Sequence, residues 1–428
     1  MNKKTIAGRW LAGAVGVLLG VTTLTGTGAA QSGKGGGTRR TSSAGGEGTV
    51  MATPVMGWNS WFQYGCAVSD SAVRAAADAM VTTGLKSAGY VYLNVDDCWQ
   101  GTRDASGVMQ GSARFPDMKA LGAYIHSKGL KFGLYSSPGP KTCAGREGSY
   151  GHEEQDAKTY AKWGVDFLRY DLCGTIPNKG DAHAAFKKMH AALVTTGRPI
   201  VYSICYYGFG EMWQWAAQAG ANLWCSAVGE GGYHAVIETA RAVDSLASYD
   251  KPGHWNDPGL LQVGTQDIFY LEEIRSHLTA WAMLGAPLIL QDSLESLADT
   301  LKEVLANPEV IAVDQDRIGK PGRYVPPDTG AFKPDEDEQQ PATKPESKPQ
   351  FGGVDIWKRP LADGTMAVAI FNKNDSTGTV TLPFGDFGMY GKTVVRDLWG
   401  RRVLVTAMGR YTVNVPPHDV MLLKLSNK

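Results

Sequence analysis

The chain has 428 residues, of which 43% are hydrophobic and 20% are charged, enough apolar material for one large domain and one small one. Lys and Arg number 42, and Asp and Glu also number 42, so the formal net charge is zero. The chain therefore has no excess of positive charge that would attract nucleic acid or an acidic membrane surface, and we expect neither as a partner. The 12 tryptophans and 17 tyrosines are compatible with stacking on pyranose rings, although aromatic residues also fill cores.

The N-terminal residues 1–30 predict a secretory signal peptide, because Lys3, Lys4 and Arg9 precede a short apolar stretch that ends in small residues. A membrane anchor fits less well, since the apolar stretch is short and rich in Gly. Residues 31–51, rich in Gly and Ser, are expected to form a flexible tether. A secreted or periplasmic location follows, where six cysteines are expected to form disulfides. Neither CxxC nor HExxH occurs, so no metal site is expected.

Eight short strand patterns alternate with helical segments across residues 52–325. The strand patterns, in chain order, are VMGWNSW, YVYLNVDD, LKFGLYSS, VDFLRYD, PIVYSIC, ANLWCS, HWNDP and PLILQD. Several of the intervening segments stop at a glycine, namely Gly84, Gly89, Gly129, Gly164 and Gly197. This alternation predicts a (β/α)8 TIM barrel. A doubly wound open sheet is the alternative, but no GxGxxG turn follows the first strand.

Polar and aromatic residues gather at the C-terminal ends of these strands, the face that carries the active site in such barrels. They are Trp58, Asn59, Trp61, Asp96, Asp97, Tyr135, Asp171, Asn256, Asp257 and Asp292. A single Asp at a strand end is more often the cap of the next helix. Carboxylates from three or more strands that share one mouth favour catalysis instead.

Arg169 and Asp171 lie two positions apart in one strand and must therefore face the same side. Glycoside cleavage needs two carboxyl groups, one to attack the anomeric carbon and one to protonate the leaving oxygen. Asp171 suits the attack, and we expect the Arg169 charge to lower its pKa and keep it ionised. Asp96 and Asp97 are adjacent and point in different directions, so they are better suited to bind sugar hydroxyls.

Six motifs occur in order between Thr53 and Gly322, namely MGWNSW, LNVDDCWQ, GLKFGLYSSPGPKTCAG, WGVDFLRYDLC, GRPIVYSIC and WNDPGLLQVG. Together they resemble glycoside hydrolase family 27, the α-galactosidase and α-N-acetylgalactosaminidase family. The resemblance implies a retaining exo-glycosidase that acts on a carbohydrate substrate. It also implies a (β/α)8 barrel followed by a small antiparallel β domain, and no cofactor.

The resemblance also implies roles for individual residues. Asp171 falls on the nucleophile of the family motif K-Y-D-x-C, with Arg169 in place of the lysine. Positions that hold the sugar ring are occupied by Trp61, Asp96, Asp97 and Tyr135, and we add Arg169, Tyr206 and Asp257 as candidate substrate-binding residues. Matching cysteine positions imply two disulfides, which pair Cys66 with Cys98 and Cys143 with Cys173.

The acid/base motif departs from the family pattern W-R-x-x-x-D. Cys225 stands in place of the arginine and Gly229 in place of the acid. The next residue, Glu230, is a candidate acid/base, with a solvated loop carboxylate as an equally good interpretation. Cys205 and Cys225 end neighbouring strands, which suggests a third disulfide.

Two pocket positions also differ, because Tyr206 stands where the α-galactosidases have a glutamate, and Gly259 where they have an aspartate. These changes leave open an α-N-acetylgalactosaminide, a β-L-arabinopyranoside or an α-glucan as the substrate. A carbohydrate-binding protein that has lost catalysis is a further alternative. Retention of Asp171 and Arg169 favours an enzyme.

A change of composition separates the two predicted domains. Residues 326–350 are rich in proline and charge and predict a linker or loop. Residues 351–428 contain seven short runs that alternate apolar and polar residues, which predicts an antiparallel β-sandwich. Nothing in the sequence indicates the oligomeric state.

Overall fold

The fold is described from a computed structural model of the chain. The structure describes residues 51–174, 176–177, 180–206, 211–227, 231–263, 270–326 and 353–428. The predicted signal peptide, the tether before residue 51 and the linker from residue 327 lie outside the described residues. Among the helices that the structure describes, none is long and apolar enough to span a membrane.

Eight parallel strands form one sheet with the neighbour order β7-β6-β5-β4-β3-β2-β1-β8. The strands are β1 (Met56–Asn59), β2 (Tyr92–Val95), β3 (Lys131–Ser136), β4 (Phe167–Asp171), β5 (Val201–Cys205), β6 (Leu223–Cys225), β7 (Trp255–Asp257) and β8 (Leu288–Leu290). After β7 the chain runs beside β8, where the N–H of Leu261 donates to the carbonyl of Ile289 at 2.8 Å. This arrangement confirms the predicted (β/α)8 barrel, with every strand at its predicted place.

The α-helices of the described residues follow the strands in sequence. They are α1 (Trp61–Tyr64), α2 (Asp70–Thr82), α3 (Leu85–Ala88), α4 (Met118–Ser127), α5 (Glu153–Trp163), α6 (Ala182–Thr195), α7 (Tyr233–Asp244), α8 (Leu271–Leu284), α9 (Asp299–Leu305) and α10 (Pro308–Asp314). Side chains cap the N-termini of α2, α4, α6 and α10, as where Asp117 accepts the N–H of Ala120 at 2.9 Å. In the described part of the segment between β5 and β6, two 3-10 turns take the place of an α-helix.

The predicted glycine stops are confirmed, and Gly164 shows why they are needed. Its φ is 82°, in the left-handed region, and its N–H caps α5 by donating to the carbonyl of Ala161. The chain can then reverse and enter β4 three residues later. Residues with a Cβ rarely adopt this conformation, which is why glycine marks the end of the helix.

The interior of the barrel is apolar at the N-terminal ends of the strands. Its buried side chains form one cluster, made of Val55, Tyr92, Phe167, Val201, Leu223, Trp255 and Ile289. In β4, Phe167 belongs to this interior cluster, and the next residue, Leu168, belongs to the larger core that includes the helices. Arg169 then faces the barrel interior again, because side chains alternate along a strand. The strand therefore alternates between the interior and the helices, and its polar inward residues come at the C-terminal end.

The C-terminal part of the chain forms two antiparallel sheets. One has six strands in the order β14-β13-β16-β11-β10-β9, and the other pairs β12 with β15. The strands are β9 (Arg323–Val325), β10 (Val354–Pro360), β11 (Met366–Asn372), β12 (Gly378–Pro383), β13 (Lys392–Asp397), β14 (Arg402–Met408), β15 (Arg410–Val415) and β16 (Val420–Asn427). The predicted β-sandwich is confirmed. The boundary differs, because β9 pairs with β10 and so joins the C-terminal sheet, whereas the sequence pattern placed residues up to 325 with the barrel.

At the centre of the six-stranded sheet, β11 is buried on both faces. In β11, Ala367, Ala369 and Phe371 belong to the core that contains the barrel helices, while Val368 and Ile370 belong to the core of the sandwich. A strand with two buried faces needs an unbroken apolar run, and MAVAIF supplies it.

Arg359 of β10 lies at the seam between the barrel and the sandwich and is 0% exposed. Its guanidinium donates to the carbonyl oxygens of Ala282 in α8 and Asp314 in α10. It therefore joins two barrel helices to the C-terminal sheet.

Candidate active site

Arg169 connects the ends of three strands at the C-terminal face of the barrel. Its Nε donates to Asp171 Oδ1 at 2.7 Å, and its Nη1 donates to Asp257 Oδ2 at 2.9 Å. Its Nη2 lies 3.0 Å from Cys225 Sγ. The contact with Asp171 confirms that residues two apart in β4 face the same side. One guanidinium therefore holds groups from β4, β6 and β7.

The Asp171 carboxyl is almost completely buried, with 3% of the residue exposed. Burial raises its pKa to about 7, and the charges of Asp96 and Asp257 add to this rise, while the Arg169 charge and hydrogen bond lower it. Arg169 lowers the pKa of Asp171 as predicted, yet the pKa still lies above the usual value of an aspartate. The arginine acts in the expected direction, but loss of solvent outweighs it.

Asp96 and Asp97 diverge, as their adjacency at the end of β2 predicts. Asp96 accepts a hydrogen bond from Asn59 Nδ2 at 2.6 Å, and burial raises its pKa. Asp97 turns to the loop after β3, where it accepts from Thr142 Oγ1 and from the N–H of Ala144, both at 2.8 Å. Asp97 thus anchors that loop.

Trp61 and Tyr135 complete the wall next to these carboxylates. The N–H of Trp61 donates to Asn59 Oδ1 at 2.8 Å, which fixes the start of α1. The hydroxyl of Tyr135, at the end of β3, donates to Cys143 Sγ at 2.9 Å. The Tyr135 side chain is thereby tied to the loop after β3, while the backbone of Trp61 is tied to the end of β1.

Three disulfides surround the site, and they pair Cys66 with Cys98, Cys143 with Cys173, and Cys205 with Cys225. The first two pairings are the ones that the family resemblance implies. The third links the ends of β5 and β6, where the sequence suggested a bridge. Each disulfide joins chain segments that follow different strands, so together they restrain the mouth of the barrel.

These groups line a cavity of about 180 Å³ at the C-terminal face. Its lining residues are Asn59, Trp61, Phe62, Asp96, Asp97, Tyr135, Cys143, Arg169, Asp171, Cys205, Cys225, Ala227, Gly259, Leu260, Gln262 and Gln291. The structure therefore gathers six of the predicted site residues around one space. They are Trp61, Asp96, Asp97, Tyr135, Arg169 and Asp171.

Three predicted site residues have other positions. Asp257 is not among the described lining residues, and its carboxylate accepts from Arg169 and from the N–H of Gly259 at 3.0 Å. The described wall does not include Tyr206 either, whose N–H lies 3.0 Å from Met212 Sδ. Glu230 lies outside the described residues. Substrate contact by Asp257 or Tyr206, and proton transfer by Glu230, stay predictions.

Other polar residues at the strand ends support the fold. Asn256 donates to Asp250 Oδ2 at 2.9 Å, and Trp58 Nε1 donates to the carbonyl of Asp292 at 2.9 Å. The Asp292 carboxylate accepts the N–H of Val263 at 2.8 Å. These strand-end side chains connect segments of the barrel and do not cap the described helices that follow.

Sequence reasoning missed Phe62, Gln262 and Gln291, which also line the cavity. Gln291 directly follows β8, and the barrel rule could have identified it. Phe62 and Gln262 follow strands by longer intervals, and a strand-end pattern carries no signal for them. Within the part of the chain that the structure describes, no group of three or more His, Cys, Asp or Glu side chains could hold a metal ion.

Comparison with family models assigns both parts of the chain. A model described as "Alpha galactosidase A" matches residues 53–316, and a model described as "Alpha galactosidase C-terminal beta sandwich domain" matches residues 351–425. The chain belongs to the α-galactosidase family of glycoside hydrolases. The motifs that resemble family 27 all lie within these matches.

Individual α-galactosidase family members are similar along most of the chain. An α-galactosidase of Cyamopsis tetragonoloba is 40% identical over 381 residues, which cover 87% of this chain and 86% of the relative. Alpha-galactosidase A of Cellvibrio japonicus is 39% identical over 403 residues, covering 88% and 93%. The crystal structure of α-galactosidase I from Mortierella vinacea shares the fold, with a TM-score of 0.77, 32% identity and coverage of 90% and 99%.

Proposed function

We propose that this chain is a secreted, retaining exo-α-galactosidase that hydrolyses terminal α-D-galactosyl residues of oligosaccharides or polysaccharides, with Asp171 as the nucleophile. The observation that carries the proposal is the buried Asp171 carboxylate, held by Arg169 on the wall of the cavity. The sugar is inferred from the relatives of 40% and 39% identity that are named α-galactosidases. Three disulfides are consistent with export to an oxidising compartment.

The reaction follows from the position of Asp171. Because Arg169 engages Oδ1, we assign Oδ2 to the attack on the anomeric carbon. The new bond to Oδ2 forms as the bond from the anomeric carbon to the leaving oxygen breaks, and a general acid donates a proton to that oxygen. Water, deprotonated by the same group, then attacks the anomeric carbon and releases Asp171. The sugar leaves with its original anomeric configuration.

The cavity favours one sugar ring at a time. Its volume of about 180 Å³ is small beside the ~300–1,000 Å³ of pockets that enclose drug-sized ligands. We assign Asp96 and Asp97 to the sugar hydroxyls and Trp61 to an apolar face of the ring. A cavity of this size accommodates one terminal residue, which is why we propose exo-action.

A panel of 4-nitrophenyl glycosides, together with melibiose, tests the sugar and the chemistry. We expect hydrolysis of the α-galactosides and an initial product with retained α configuration, observed by NMR. An initially inverted product would exclude the double displacement. Trapping with a mechanism-based 2-fluoro glycoside should label Asp171, and a label on any other residue would refute its role.

Glu230 is proposed as the acid/base, and the test separates it from a solvated loop carboxylate. We expect Glu230→Gln to lose most activity on melibiose, whose leaving group needs a proton, and to be rescued by azide on activated aryl galactosides. An unchanged rate on melibiose would remove Glu230 from the mechanism. Wild-type activity on aryl substrates alone would indicate that the chain lacks a working acid.

A second candidate is the same chemistry on another sugar. Cys225 and Gly259 line the cavity at positions where the family resemblance implies an arginine and an aspartate. An α-N-acetylgalactosaminide, a β-L-arabinopyranoside or an α-glucoside hydrolysed faster than the α-galactoside would favour this candidate. Sugar binding without turnover of any substrate would indicate a carbohydrate-binding protein.

A further inference from the structure

Phe62 is a large apolar side chain that the fold leaves 49% exposed, although it lies on the wall of the catalytic cavity. It is the second residue of α1, directly after Trp61. Trp61 is half-buried, so the two neighbouring aromatic residues reach different depths. Single exposed apolar residues are common on protein surfaces, but an aromatic ring at the rim of a sugar site can also bind a substrate.

The one-turn helix that carries this ring is held on several sides. Gln63 Nε2 donates to the hydroxyl of Tyr64 at 2.9 Å, and that hydroxyl donates to Glu295 Oε1, in the loop after β8, at 3.3 Å. Immediately after the helix, the Cys66–Cys98 disulfide ties the chain to the segment that follows β2. The ring is therefore presented by an anchored turn, which lowers the entropic cost of placing it against a ligand.

The depth of the nucleophile decides which part of a substrate meets this ring. Asp171 is 3% exposed, and beneath it the barrel interior is filled by the apolar cluster that includes Phe167 and Trp255. A sugar attacked by Asp171 occupies the inner part of the cavity, and its leaving group must point outward. Phe62, at the exposed end of the wall, is placed to meet that leaving group.

We propose that Phe62 forms the leaving-group subsite and stacks on the apolar face of the sugar ring that is linked to the scissile galactosyl residue. This inference rests on the proposed function, since it names the part of the substrate that lies beyond the reacting bond. A stacked aromatic contact changes binding by about two- to tenfold. If Phe62 contacts the leaving group during bond cleavage, the effect falls on kcat/KM for substrates that carry a ring there.

The test compares two substrates that share the galactosyl group. Melibiose has glucose as its leaving group, whereas the leaving group of α-galactosyl fluoride is a fluoride ion, which has no ring that could stack on Phe62. For Phe62→Ala we expect kcat/KM for melibiose to fall about five- to tenfold and kcat/KM for the fluoride to change by less than about twofold. Phe62→Trp should retain activity on melibiose, because it keeps an aromatic face.

Tyr390→Ala is the matched control, since Tyr390 is an exposed aromatic residue of the C-terminal domain, 75% exposed. It should leave both substrates unchanged. Equal losses on melibiose and on the fluoride would overturn the inference, because Phe62 would then act on the sugar pocket or on the fold. Unchanged hydrolysis of melibiose by Phe62→Ala would also overturn it.

The leaving group can also be an aromatic aglycone, and 4-nitrophenyl α-galactoside distinguishes a subsite for aryl groups from a subsite for sugars. A loss on this substrate with none on melibiose would show that the subsite takes aryl groups and would refute a sugar subsite. Failure of the wild-type enzyme to hydrolyse α-galactosyl fluoride would instead refute the proposed sugar. In that case, the same comparison is made with the glycosyl fluoride and a disaccharide of the sugar that the enzyme does hydrolyse, and a loss on the disaccharide alone supports the role of Phe62.

Discussion

Two arginines, one at the mouth of the barrel and one at the seam between the domains, lie beside aspartates with a raised pKa. Burial raises the pKa of Asp171 to about 7 near Arg169, and that of Asp314 to about 8 near Arg359. The side chain of Arg169 is 21% exposed and donates to two carboxylates. Arg359 is 0% exposed and donates to backbone carbonyls.

The difference shows that a buried, perturbed carboxyl does not by itself identify an active site. Asp314 belongs to the last turn of α10, and its backbone helps to hold the C-terminal sheet against the barrel through Arg359. Asp171 lines a cavity that a substrate can enter. The two clusters differ in access to solvent and substrate, so the same substitution should reduce activity at Asp171 and leave it unchanged at Asp314.

The largest effect is expected for Asp171→Asn, paired with Asp314→Asn. The first variant replaces the proposed nucleophile, so kcat/KM should fall by about 10⁴-fold or more while the thermal unfolding curve stays cooperative. The second should keep kcat/KM within about twofold of the wild type. Substantial turnover by Asp171→Asn, or an equally large loss of kcat/KM in Asp314→Asn, would show that the two clusters do not differ in function.

The two arginines provide the next comparison. Arg169→Met frees Asp171 and Asp257 from their shared partner, and we expect kcat/KM to fall about 100-fold through misplacement of the nucleophile, with partial recovery in Arg169→Lys. Arg359→Met should lower the free energy of unfolding by about 3–5 kcal/mol, because it removes one partner of a buried polar cluster. Steady-state kinetics and urea unfolding of both variants measure this. A stability loss confined to Arg169→Met would contradict the assignment.

The pH profile should show the raised pKa of Asp171. As the proposed nucleophile, Asp171 must be ionised, so kcat/KM in the free enzyme should fall about tenfold per pH unit below about pH 7. In Arg169→Met this limb should move to higher pH, because the charge that lowers the pKa of Asp171 is lost. Profiles for 4-nitrophenyl α-galactoside from about pH 5 to about pH 9 test it. A limb that stays in place would show that Arg169 does not set this pKa.

The smallest effect concerns stability, through Asp171, Asp250 and Asp314. Burial raises the pKa of each to about 7 or 8, well above the ~3.9 of an unfolded aspartate, so the native state binds these protons more tightly. The free energy of unfolding should therefore decrease as pH rises from about 4 to about 8, because the native state loses these protons over that range. Asp314→Asn should flatten this slope by a few °C in Tm between about pH 5 and about pH 8.

The control for that slope is Asp299→Asn, at a surface carboxylate. Lys302 lowers the pKa of Asp299, so its protonation lies below the measured window. Its slope between about pH 5 and about pH 8 should match that of the wild type. Equal slopes in all three proteins would show that Asp314 is ionised in both states.

Much of the fold could be predicted from local patterns. Alternation along β4 predicted the contact between Arg169 and Asp171, and glycines such as Gly164 predicted where helices stop. Strand ends predicted six residues of the cavity wall. The pairing of β9 with β10 could not be predicted, because the residues between them carry no pattern that specifies a partner. The same is true of Phe62, whose exposure depends on how α1 is held.

The sequence alone determined the order of strands and helices, the face on which polar residues gather, and the family. These depend on side-chain periodicity and turn chemistry, which act over a few residues. Only the tertiary structure decided that burial outweighs Arg169 at Asp171, that Asp257 contacts the arginine, and that Arg359 is structural. Solvent exclusion and charge interactions sum over groups far apart in the chain, so their balance is set by the packed molecule.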